Sequence, residues 1–124
     1  MKELIKKFQK IEQELSQEKG EFELFALFQT DFSINKWDVV IAAPWIIKNK
    51  NIALYLIVEK IKKELKENLI KLSKVVLIDE NNLALKAVQQ AVHTEHNSVE
   101  ILNSNFFGLQ IKHAFIITSK KIKQ

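Results

Sequence analysis

The sequence predicts an α+β domain, one mixed five-stranded sheet covered by three helices in the order α-β-β-α-β-α-β-β. Three observations lead to it. Apolar residues recur at the i, i+3/i+4 spacing of a buried helical stripe in three separate stretches. Short β-branched or aromatic runs lie between and after them, bounded by Asn, Asp, Ser, Gly or Pro. A length of 124 residues supports one hydrophobic core but not two, and no linker or internal repeat divides it, so residues 1–124 are read as one domain.

The first helix is expected over Lys2 to Lys19, where Leu4, Ile5, Phe8, Ile11 and Leu15 share a face and Gly20 follows at the position of a C-terminal cap. Glu21 to Thr30 and Trp37 to Ala43 read as an antiparallel hairpin around the turn-prone stretch Asp31 to Lys36. Pro44 stops the second strand, and Trp45, Ile46 and Ile47 lead into a polar bend at Lys48 to Asn51 that caps the next helix. That helix, Ile52 to about Glu67, is apolar nearly all round in its first half, which suits burial against a sheet. Val75 to Ile78 has the profile of a central buried strand, and the helical crossover before it favours parallel pairing with strand 39–43. An alanine-rich third helix follows from Leu83 to about Thr94, capped by Asn81 or Asn82. Val99 to Leu102 and Ile111 to Thr118 close the sheet through a turn at Asn103 to Gly108, and residues 119–124 form a loose basic tail.

Composition removes several function classes. With no cysteine there are no disulfides, thiolate nucleophiles or cysteine-bound metals. The two glycines, Gly20 and Gly108, match no phosphate-binding loop. All 19 basic residues are lysines, so the bidentate guanidinium fork that reads guanine edges is missing. Net charge is +4, with the signs interleaved as on a solvated surface. The longest apolar run, Ile52 to Val58, has seven residues against the roughly 20 that cross a bilayer, so the sequence reads as a soluble, cytoplasmic protein without a membrane partner.

Candidate chemistry is sparse. Asp79 opens Asp79-Glu80-Asn81-Asn82 at the C-terminal end of its strand, the edge where ligand crevices form, although such a run is also ordinary turn and cap chemistry. Asp38, beside Trp37 at a strand entrance, is read as a turn residue. His93 and His96 are three apart on a helix end and are the histidines a metal would use, but the spacing is not that of HExxH and a helix C-terminus favours histidine without any metal. Lys60, Lys62, Lys63 and Lys66 could follow a phosphate backbone, with Phe106 and Phe107 as stacking groups, yet Glu59, Glu64 and Glu67 lie at ion-pair spacing on the same helix. No nuclease acid pair or nucleophile elbow is present in a suitable context.

Large aromatics in connections are either tucked under the core or present a surface, and here they are Trp45, Phe106 and Phe107. The sequence therefore points to a non-enzymatic protein-interaction or regulatory module, self-associating as a homodimer or docking another protein through a sheet edge or through Trp45, Phe106, Phe107 and Asp79. No catalytic residue, cofactor or metal site is assigned. The alternatives are a nuclease- or phosphatase-like hydrolase using His93, His96 or Asp79, and a weak binder of nucleic-acid backbones.

Overall fold

The computed structural model describes residues 1–30 and 35–122. Its elements are α1 (Lys2–Lys19), β1 (Leu24–Gln29), β2 (Trp37–Ala42), a helical turn α2 (Pro44–Ile47), α3 (Lys50–Leu65), a 3₁₀ turn (Lys66–Lys71), β3 (Leu72–Leu77), α4 (Leu83–Ala91), β4 (Val99–Phe106) and β5 (Leu109–Ser119). The sheet is mixed and five-stranded, in the order β3-β2-β1-β5-β4. Among the described strands, β2 and β3 pair parallel and the other neighbours antiparallel.

Strand alternation divides the core in two. Phe25, Leu27, Val39, Ile41, Phe115 and Ile117 face Phe8 and Ile11 of α1 and Ile57 and Ile61 of α3. Leu24, Ala26, Phe28, Val40, Ala114 and Ile116 face Leu85 and Val88 of α4. Covering both faces explains why β1 and β2 are almost continuously apolar instead of alternating with polar residues. Each buried Leu, Ile or Phe contributes about 1.5–3 kcal/mol relative to exposure.

The helix ends follow local chemistry. Gly20 caps α1 at φ 135°, and its N–H donates to Ser16 O at 3.1 Å. A Cβ at Gly20 would stand 3.0 Å from Trp45 Cδ1, so a side chain there would collide with the indole as well as strain the backbone. Asn49 caps α3 by accepting the Ile52 N–H, and Asn82 caps α4 by accepting the N–H groups of Ala84 and Leu85.

Several expectations need correction. Val75 to Ile78 belongs to an edge strand, not a central one; its apolar character comes from α3 on one face and α4 on the other. Residues 45–47, read only as leading into the polar bend, form a helical turn, because Pro44 at the first helical position presets the required φ. The long helix stops at Leu65, where Lys66 takes φ 51° and a 3₁₀ turn continues. The closing strands run on through 103–106 and 109–110, leaving a two-residue turn in which Phe107 and Gly108 have φ 52° and 86°, the signature of a type I′ hairpin. Ser119 is buried in β5 and Lys120 donates its N–H to Glu23 O, so the loose tail does not begin at 119. The turn residues Asp31 to Ile34 and the last two of the basic tail lie outside the described residues.

Candidate functional site

A mainly apolar recess with polar groups among its walls lies under α4. Small residues on that helix leave a cavity of about 410 Å³ between it and the β1–β3 part of the sheet. Its walls are mainly apolar, with Val40, Val76, Leu85 and Val88 among them, and Asp38, Thr30, Ser73, Lys74 and Asn82 add polar groups. Asp38 is not a turn residue. It lies within β2, only 6% exposed, on the sheet face covered by α4, and its register neighbour across the parallel pair is Lys74.

A second recess of about 330 Å³ lies on the other side of β3, where Leu54 and Val58 of α3 face Leu69, Leu72 and Val75. The two recesses therefore flank the β3 edge, one on each face of the sheet. The Ile78 N–H donates inward to Ile41 O at 2.9 Å. By the alternation of a parallel ladder, the N–H and C=O groups of Val75 and Leu77 point outward, away from β2. The irregular pairing is confined to the beginning of β3, where the register shifts between Trp37–Leu72 and Asp38–Lys74. At the opposite edge, β4 carries Glu100 and a positive φ of 47° at Asn103, a local kink that disfavours further strand pairing.

Charges near β3 are unevenly matched. Lys60 pairs with Glu14 and Glu18, Lys62 with Glu59, and Lys10 with Glu64. Lys63, Lys66, Lys71 and Lys74 form no ion pair among the described residues. Two members of the lysine cluster expected to face a phosphate backbone are thus already engaged by carboxylates. The start of α3, expected to be buried, exposes Ile52, Leu54 and Tyr55, because only Ala53, Ile57, Ile61 and Leu65 form its inward stripe.

A polar knot that spacing does not disclose ties α1 to β5. Glu12 is wholly buried, with His96 Nδ1 2.5 Å from its Oε1 and the Thr118 hydroxyl donating to its Oε2 at 2.9 Å. The His96 backbone N–H in turn donates to Thr118 Oγ1 at 3.1 Å. Carboxylate, imidazole and hydroxyl are all present, but the hydroxyl proton is directed to the carboxylate and not to the ring. Thr118 is therefore not set up as an activated nucleophile, and the arrangement fits a structural clamp.

Beside it, Lys120 bridges Glu21 and Glu95. The hydrogen bond from Lys120 holds the Glu95 carboxyl below its usual range, aided by charge from Lys120 and His96 and opposed by slight burial. Burial draws the Lys120 ammonium downward, but its hydrogen bonds to Glu21 and Glu95 outweigh this and raise it. The lowered Glu95 contributes stability above its ordinary value, lost as pH falls through the folded-state value. The raised Lys120 contributes below its ordinary value, lost as pH rises through the folded-state value. Lys120→Met is expected to lower stability by under about 1 kcal/mol at neutral pH, since these groups are largely solvated, and to flatten both pH limbs. Urea midpoints measured from acid to alkaline pH check this.

The sequence candidates are dispersed. Phe106 is buried in the core under α4, while Phe107, next to it in the turn, is 68% exposed. Trp45 is half-buried, its ring packed edge-on against Phe22 at 5.7 Å, and its indole N–H is buried with no hydrogen-bond partner among the described residues. Asp79 is exposed and accepts the Asn81 N–H, closing a turn. It precedes α4, whereas the exposed His93 follows that helix, so the two are at opposite ends. His96 turns to Glu12, and His113 packs at a tilt against Trp37 while meeting Glu100 at 2.7 Å. Among the described residues no three His, Asp or Glu side chains converge to hold a metal ion, and no helix is long and apolar enough to cross a membrane.

Comparison of the chain with protein-family models, with curated proteins and with solved structures gave no match.

Proposed function

We propose that the chain is a non-enzymatic protein-interaction module that receives an extended, acidic segment of a partner along the β3 edge. The observation that carries this reading is an edge with outward backbone groups at Val75 and Leu77, lying between two apolar recesses. Strand addition needs that combination: main-chain donors and acceptors for affinity, and recesses on alternate faces for side chains. Charge favours an acidic partner, because Lys63, Lys66, Lys71 and Lys74 form no ion pair among the described residues. The same charge disfavours pairing of β3 with the β3 of a second copy, which would bring two such lysine sets together. Such a copy would also carry its own α3 and α4 against the recesses.

A fluorescent eight-residue peptide of valines flanked by glutamates serves as the probe, with a lysine-flanked peptide as its control. The acidic peptide is expected to bind at low salt, to weaken as salt rises, and to slow amide exchange at Val75 and Leu77. Val75→Pro removes an outward donor while leaving the ladder to β2 intact. It is expected to weaken binding at least about tenfold, the equivalent of 1.4 kcal/mol. Equal binding of both peptides, or exchange at Val75 and Leu77 unchanged at saturation, would overturn the proposal.

A further inference from the structure

The cavity under α4, one of the two recesses that flank the β3 edge, supports an inference beyond the strand-addition reading. From its walls we infer that it is a binding site for a small apolar α-amino acid. A volume of about 410 Å³ falls within the range of small-ligand sites and would hold on the order of a dozen water-sized groups. Val40, Val76, Leu85 and Val88 offer no hydrogen bonds to water in the cavity, so an apolar side chain would gain by replacing it.

The polar end specifies the head group. Asp38 and Lys74 are register neighbours on adjacent strands, and both line the cavity. Adjacent strands lie about 4.8 Å apart, so an acidic and a basic side chain leave the same face of the sheet side by side, where one small zwitterion can reach both. The buried Asp38 carboxylate would take the ligand ammonium. The Lys74 ammonium, which has no ion pair among the described residues, would take the ligand carboxylate. A simple amine of the same skeleton meets Lys74 with like charge, and a simple acid meets Asp38 in the same way. The two side chains together therefore select the zwitterion over either half of it.

Isothermal titration and thermal-shift measurements with leucine, isoleucine, valine, methionine and phenylalanine test the inference, alongside isoamylamine and 4-methylpentanoate, which each lack one charge. At least one amino acid is expected to bind and raise the melting temperature at millimolar concentration, with both single-charge analogues at least about tenfold weaker. Lys74→Met is expected to abolish the preference over isoamylamine, and Asp38→Asn the preference over 4-methylpentanoate. Ala84→Leu fills the cavity from α4 and is expected to abolish binding while preserving the fold, so a loss of binding there cannot be attributed to unfolding. No binding by any of the five amino acids, undiminished binding to Ala84→Leu, or equal affinity for leucine and 4-methylpentanoate would overturn it. Failure of the acidic-peptide test leaves these results unaffected, because the ligand and readouts are different.

Discussion

Glu12→Ala is expected to destabilise the protein by about 2–4 kcal/mol, the cost of losing two hydrogen bonds to a buried carboxylate and leaving the buried Thr118 hydroxyl without its acceptor. The carboxylate is wholly enclosed and receives contacts from His96 and the Thr118 hydroxyl, which come from a distant loop and strand. Truncation leaves the hydroxyl proton buried without its acceptor and releases the histidine loop from α1. Against a typical total stability of about 5–15 kcal/mol, this is a large fraction. Thr118→Val removes one hydrogen bond to the carboxylate and is expected to cost less, about 1.5–3 kcal/mol. Urea unfolding followed by tryptophan fluorescence measures both. A loss below about 1 kcal/mol for Glu12→Ala would show that the clamp does not hold the layers together.

Two adjacent phenylalanines should behave in opposite ways. Phe106→Ala is expected to cost about 3–5 kcal/mol, because the ring is 5% exposed and belongs to the core shared by α4 and β5. Phe107→Ala, at a ring 68% exposed in the hairpin turn, is expected to change stability by no more than about 0.5 kcal/mol. Thermal or chemical denaturation of the pair gives the comparison directly. Similar losses from both would mean that the turn ring also packs on the core.

The sheet was legible where local pattern and local pairing coincide. Phe22 to Phe28 and Val39 to Ile41 announce a hairpin, and β1 and β2 pair antiparallel. The parallel partner of β2 also followed from the length of the intervening helix. Sequence pattern reports burial, however, and does not report neighbours. Val75 to Ile78 reads as central because two helices cover it, although among the described residues β2 is its only strand partner.

The polar sites were less legible for a related reason. Asp38 beside Trp37 resembles a turn residue until α4, formed far later in the chain, covers it. Glu12 occupies what a helical projection treats as a tolerable polar position, and its partner His96 is 84 residues away. Phe106 and Phe107 differ in fate only through the two-residue turn, and Asn105, which accepts the Gly108 N–H at 2.7 Å, was the local signal for that turn. Trp45 was drawn into the core region by Phe22 and by the open space at Gly20, a relation no single segment displays.

The position of β5 has a consequence for biosynthesis. This strand is made after the other four, yet it is inserted between β1 and β4 and supplies Phe115 and Ile117 to one core and Ala114 and Ile116 to the other. While a ribosome is still translating the preceding 108 residues, β1 has only β2 beside it and β4 has no partner in the sheet. The native layers cannot seal on either side during that interval, so the fold is completed only once β5 has been made. Until then, the apolar edge of β1 is the surface a nascent-chain chaperone would have to shield.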